Sequence, residues 1–151
     1  MVSVRARVII IRGESIAMIA RRRGDRRYYV FPGGGVEPGE TIAAAAVREA
    51  AEELGLVVAL GRRVVELRHG DVLLHFFLAT PLGGTLGTGR GPEFTARAAA
   101  EHGTYRAVWL PLDDLPAVEV LPVALVGLLA AARAAGWAWP PEVISVVEGA
   151  R

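Results

Sequence analysis

Apolar and polar positions alternate at the start of the chain and then merge into a solid apolar run. Val2 to Ile11 (VSVRARVIII) is rich in β-branched residues and predicts a strand. Gly13-Glu14-Ser15 turns it, and Ile16 to Ala20 returns as a second strand. Arg21 to Arg27 (RRRGDRR) reads as a charged loop, and Tyr28 to Phe31 as a short strand. After a glycine-rich loop, helical spacing predicts a helix from about Ile42 to Leu54. Thr41 suits its N-cap and Gly55 its C′ position. Val57 to Arg68 and Val72 to Thr80 predict two long strands around a His69-Gly70-Asp71 turn.

Residues 81 to 103 break the pattern. PLGGTLGTGRGPEF has no periodicity, and Thr95 to Glu101 can form one or two helical turns. Loops this long inside a compact domain are usually functional or mobile. Thr104 to Leu110 is a further strand. Pro111 to Pro116 turns toward a helix from Val123 to Ala135, ended by Gly136, and WAWPPEVISVV adds a short edge element. No repeat or linker divides the chain. The expectation is one α/β domain, a mixed sheet between helices, spanning residues 1–151.

Composition narrows the function. At 151 residues and 52% hydrophobic, the chain can bury a sizeable core. No apolar run approaches the roughly 20 residues that span a bilayer. The start lacks a signal peptide's layout, because Arg5 and Arg7 interrupt the apolar residues, so the cytoplasm is the expected location. The absence of cysteine excludes disulfides, thiolate catalysis and cysteine-based zinc sites. A net charge of +1 gives no reason to expect a nucleic-acid polymer as partner. Arginine supplies every side-chain positive charge, and there is no asparagine or glutamine.

The sharpest feature is chemical. In FPGGGVEPGETIAAAAVREAAEELGL, Glu49, Glu52 and Glu53 project from one face of the expected helix. Like charges at that spacing repel. A hard divalent cation such as Mg²⁺ reverses the repulsion, because it takes oxygen ligands and leaves positions for substrate phosphates. The competing reading is an ordinary solvated charged face. The loop before the helix separates the two, with four glycines and two prolines between Pro32 and Gly39.

This segment resembles the Nudix box. Gly34, Glu40, Arg48, Glu49, Glu52, Glu53 and Gly55 match all seven fixed positions at the required spacing, with Ala50 a small residue at the first aliphatic place. The flanking strands, the Phe31-Pro32-Gly33-Gly34 lead-in and the Val108-Trp109-Leu110-Pro111-Leu112 strand end extend the resemblance over nearly the whole chain. It implies an α/β/α sandwich around a central mixed sheet. It also implies Mg²⁺-dependent hydrolysis, with Mn²⁺ as a substitute ion, of a nucleoside diphosphate linked to another group.

By the same resemblance, Glu52 and Glu53 are metal ligands, Glu49 a ligand or base, and the carbonyl of Gly33 a further ligand. Arg48 orients Glu49 or Glu52, and Glu40 anchors the loop to the helix. The family also uses a glutamate on a later loop as base; Glu101 is the first candidate here and Glu93 the second. One of Arg21, Arg22 and Arg23 is expected to clamp phosphate. Tyr28 and Tyr29 alternate faces, so at most one reaches a pocket. Trp109 is expected in the core, with Trp137 and Trp139 over an apolar edge or a dimer contact. His69, His75 and His102 have no ligand spacing.

The substrate is less legible. No asparagine is available to read an oxidised purine, and the markers of the ADP-ribose, dinucleoside-polyphosphate and coenzyme A branches are absent. A (d)NTP or a nucleoside diphosphate sugar fits the class. The alternative is a Nudix domain that binds a nucleotide without cleaving it. Family habit and the apolar C-terminal region point to a homodimer.

Overall fold

A computed structural model describes residues 2–149. In chain order it contains β1 (Ser3–Ile9), β2 (Ile11–Arg12), β3 (Ser15–Arg23), β4 (Arg26–Val30), β5 (Gly33–Gly35) and α1 (Ile42–Glu49). A π-helical turn, Ala50–Leu54, continues α1. Then follow β6 (Leu56–His69), β7 (Val72–Gly84), α2 (Ala96–His102), β8 (Thr104–Pro111), β9 (Val120–Leu121), α3 (Ala124–Ala134) and β10 (Ile144–Val147). Short 3₁₀ turns cover Pro92–Phe94 and Leu112–Ala117.

Two five-stranded sheets carry the fold. The first runs β10-β6-β7-β1-β5 and is mixed: β10 lies parallel to β6 and β1 parallel to β7, while β6–β7 and β1–β5 are antiparallel. The second runs β2-β3-β4-β9, with β8 antiparallel to β3.

Strand alternation gives these sheets two buried faces. Ala6, Val8 and Ile10 pack with Ala17 and Ile19 against Ala45, Ala46 and Ala50, whose small side chains let the helix approach closely. On the opposite face, Ile9, Met18, Phe31, Val65, Leu67 and Phe76 pack with Leu125 and Leu129 of α3. There Phe31 and Phe76 meet edge to face at 5.3 Å. The result is the α/β/α sandwich that the Nudix resemblance implies.

Thr41 caps α1 as expected, its hydroxyl accepting from the Ala44 amide at 3.0 Å. Gly55 closes the helical segment at φ 76°. The C-terminal tail supplies the expected edge strand, β10. Three expectations change. RRRGDRR is not a loop: β3 runs through Arg23, turns at Gly24 (φ 60°) and returns as β4, with Arg22 paired to Arg27. Backbone pairing across a tight turn outweighs the charge pattern there. Residues 50–54 widen from α to π geometry. Trp109 is only half-buried, with the Arg12 guanidinium 4.8 Å above its ring. Trp137 and Trp139 do cover an apolar edge, packing against the α3-side core. Among the described residues, no helix is long and apolar enough to cross a membrane.

Candidate active site

The glycine loop and the α1 helix meet at Arg48. Its Nε and Nη2 donate to Glu40 Oε2 and Oε1 at 2.8 and 3.0 Å. Nη1 donates to Glu49 Oε1 at 2.9 Å and to Glu52 Oε2 at 3.0 Å, and Nη2 also reaches the Gly35 carbonyl at 2.9 Å. These five bonds match the five N–H donors of a guanidinium. Arg48 therefore orders the acids and the loop, and has no donor left for a substrate. Glu40 also accepts from the Glu37 amide at 3.0 Å. The bonds from Arg48, and then from Glu37, hold the Glu40 carboxyl down at about 2.

Glu53 behaves differently. It is 7% exposed and accepts from the Gly33 amide at 2.7 Å. Burial pushes its carboxyl up to about 8. The Gly33 N–H and the Arg7 charge oppose that shift, while Glu93 and Glu49 add to it. Burial also raises Glu49. The π-helical turn lies where this difference arises, since Glu53 is buried while Glu52, one residue earlier, keeps 37% of its side chain exposed. Such turns are frequent at functional sites.

One glycine is required by backbone contact, and a second lies directly under a carboxylate. Gly33 sits at φ 146°, and a Cβ there would lie 1.9 Å from the Ala6 carbonyl oxygen. A Cβ on Gly34 would lie 2.5 Å from Glu49 Oε1. The carboxylate thus rests directly on the loop backbone.

The irregular segment after β7 folds back onto this site. The Gly87 amide donates to the Leu54 carbonyl at 3.0 Å, and the Gly91 amide to the Glu52 carbonyl at 3.0 Å. A Cβ on Gly89 would lie 2.4 Å from the Glu52 carbonyl oxygen. This docking places Glu93 where Glu49 and Glu52 act on its charge. Burial raises its carboxyl, and its Oε1 is buried without a hydrogen-bond partner.

Glu101, the first candidate for a later acid, lines a pocket of about 270 Å³ together with Glu93. It pairs with Arg97 at 3.0 Å and stands 3.6 Å from His102, half-exposed on α2. Arg21 stacks 3.7 Å over the Tyr105 ring and donates to the His102 and Thr104 carbonyls. Arg22 and Arg23 are exposed. A separate cleft of about 450 Å³ is lined by Arg21, Arg22, Arg27, Tyr28, Tyr105 and Arg106, among others.

Sequence reasoning missed Arg7. It faces Gly33 across the β1–β5 ladder, close enough to Glu53 and Glu49 to feel both charges. The signal was present: Arg5 and Arg7 occupy the same strand phase as core residue Ile9.

The donor set suits a hard cation. Glu49 and Glu52 share the Arg48 Nη1 donor, Glu93 Oε1 is buried without a partner, and the glycine backbone leaves no side chain in the way. Among the described residues, no three His, Cys, Asp or Glu side chains stand ready as a cage. Arg48 Nη1 lies between Glu49 and Glu52, so an incoming ion must compete with it.

The profile of the NUDIX domain matches residues 1–126. The mouse 8-oxo-dGDP phosphatase NUDT18 is 35% identical over 96 residues, which is 63% of this chain and 27% of that protein. The chain thus aligns with about a quarter of the length of that relative. An ADP-ribose pyrophosphatase from Streptococcus suis superposes with a TM-score of 0.67 at 20% identity, covering 98% of this chain and 100% of the other. A NUDIX hydrolase from Nitrosomonas europaea gives a TM-score of 0.72 at 16% identity, covering 97% and 78%.

Proposed function

Because the chain belongs to the Nudix family, we propose that it hydrolyses the diphosphate linkage of a nucleoside diphosphate derivative with the help of Mg²⁺ or Mn²⁺. The observation that carries this reading is the gathering of Glu49, Glu52, Glu53 and Glu93 around one glycine loop. Each of the four is an oxygen donor, and the cations nearest them are Arg48, which orders the acids, and Arg7.

Glu52 and Glu53 would hold the ion with Glu49 and the Gly33 carbonyl. When bound, the ion neutralises phosphate charge and acidifies a water. Arg48 keeps Glu49 and Glu52 in place through Glu40. Glu93 is the proton acceptor in this reading: an attacking water forms the new P–O bond, its proton passes to the Glu93 carboxylate, and the anhydride P–O bond breaks toward the leaving phosphate. Glu93 is preferred to Glu101 because it is half-buried beside the cluster with one buried oxygen that has no hydrogen-bond partner, whereas Glu101 is exposed and engaged by Arg97.

The relatives widen the substrate class rather than fix it. A panel of (d)NTPs, 8-oxo-dGDP, ADP-ribose and nucleoside diphosphate sugars, scored for phosphate or nucleotide release with Mg²⁺ and with Mn²⁺, tests the proposal. Cleavage of at least one, abolished by Glu53→Gln, is the expected result. Failure of every member with both ions would overturn the reading. Retention of every box carboxylate speaks against a silent binding domain.

A further inference from the structure

The seven residues of α2 (ARAAAEH) bury no side chain. A helix this short does not hold itself in place in water. Beside it lies a pocket of about 270 Å³, lined by Glu93, Glu101 and Tyr105 among others, rather than a packed core. Its position, and that of the Glu93 turn before it, must therefore come from tethers at the two ends of the segment. The front end is tied to the carboxylate helix by the Gly87 and Gly91 amides. The rear end is tied by Arg21. Arg21 Nη2 donates to the His102 carbonyl at 2.5 Å, and Nε to the Thr104 carbonyl at 3.3 Å. His102 is the last residue of α2, where a cation also complements the helix dipole. Between the two carbonyls the chain crosses the end of β3 at Gly103 (φ 83°), where a Cβ would lie 2.2 Å from the Arg22 carbonyl oxygen.

The rear tether also reaches toward Glu93. Arg21 stands opposite Tyr28 on β4 and opposite Tyr105 on β8. Its guanidinium carbon lies 3.7 Å from the centre of the Tyr105 ring and 5.5 Å from that of Tyr28. Tyr105 in turn meets Phe94 edge to face, with ring centroids 6.4 Å apart. Phe94 directly follows Glu93. An unbroken chain of contacts thus runs from Arg21 through Tyr105 and Phe94 to the residue next to the acid.

Resting on the hydrolase reading, we infer that Arg21 is a positioning residue for Glu93 rather than a phosphate ligand. Two of its five donors are turned inward to backbone carbonyls, and its plane is covered by Tyr105. Arg21 holds the rear of the segment while Gly87 and Gly91 hold the front, so Glu93 is fixed between two anchors beside Glu49 and Glu52. Releasing the rear anchor leaves the acid held from one side only, and its carboxylate then drifts from the attacking water.

Two measurements test this, one of them independent of turnover. Hydrogen–deuterium exchange on the full chain follows the amides of residues 92–103. In Arg21→Met their protection should fall about tenfold, as the loss of charge-assisted bonds implies, while α1 and β6 stay as in wild type. Kinetics then use whichever (d)NTP, 8-oxo-dGDP, ADP-ribose or nucleoside diphosphate sugar the wild type cleaves. Arg21→Met should lower kcat roughly 10- to 100-fold, the scale of misplacing a reacting group by about 1 Å, with KM within about threefold. Arg21→Lys should recover part of the loss. In a Glu93→Gln background, Arg21→Met should lower kcat by less than about twofold further, because both changes act through one carboxylate. Tyr105→Leu, which removes the ring between Arg21 and Phe94, should repeat the pattern by a second route. Unchanged exchange in Arg21→Met would overturn the inference and leave the hydrolase reading intact. So would a raised KM with kcat preserved, the mark of a phosphate ligand, or losses from Arg21→Met and Glu93→Gln that multiply in full. No cleavage of any panel member by wild type would overturn the hydrolase reading, and with it the positioning role, even where exchange shows Arg21 holding the segment.

Discussion

Arg48 and Glu40 form a two-point pair, Nε to Oε2 at 2.8 Å and Nη2 to Oε1 at 3.0 Å. The pair fixes the guanidinium plane, and that plane sets where Glu49 and Glu52 point. Lysine carries the charge but cannot span four acceptors with a planar fork. Arg48→Lys should therefore keep the fold and weaken Mn²⁺ binding about 10- to 100-fold, the usual cost of losing an orienting partner. Titration of the variant with Mn²⁺, alongside its thermal unfolding, checks this.

Glu53 makes stability depend on pH. Its folded carboxyl is raised to about 8, well above the ordinary carboxylate value of 4.5. The folded state then holds a proton that the unfolded state has released, so stability is full below about 4.5 and falls as pH rises toward 8. In EDTA, Tm should drop across that window. Glu53→Gln keeps an acceptor for the Gly33 amide and does not titrate, so its Tm should be flatter over the same range. An equally steep fall in the variant would refute the assignment.

Legibility followed the range of the interactions. The β-branched runs, the Thr41 cap and the Gly55 stop are local, and they read correctly from sequence. The acidic face of α1 was also legible, since 49, 52 and 53 are neighbours in any helix. The π geometry was not, because the same residues satisfy either ladder. RRRGDRR misled because its charge suggests solvent, whereas exposed arms of a hairpin carry charge just as readily. The placement of Glu93 depends on Gly87 and Gly91 bonding to carbonyls more than thirty residues earlier. No periodicity encodes such a contact. Arg7 depends on β1 lying between β5 and β7, which is topology rather than pattern.

Glu93 and Glu101 give a direct contrast. Glu93→Gln should lower kcat by about 10²- to 10⁴-fold, the span of general-base contributions. Glu101→Gln removes an exposed partner of Arg97, and exposed pairs contribute little, so its kcat should stay within about twofold of wild type. Steady-state kinetics on whichever substrate the panel identifies compares them. Equal losses would remove Glu93 from its assigned role.

Gly33→Ala and Gly35→Ala separate loop geometry from loop composition. At Gly33 the new methyl would meet the Ala6 carbonyl oxygen at 1.9 Å, and φ 146° is a conformation that side chains resist. Backbone must move, and with it the amide that holds Glu53. The strained conformation alone costs about 1–3 kcal/mol. At Gly35 nothing lies within 4 Å of the added atom. Thermal unfolding should therefore show Gly33→Ala several degrees below wild type and Gly35→Ala close to it. Mn²⁺ affinity should follow the same order, because the Gly33 amide holds the buried Glu53 carboxylate.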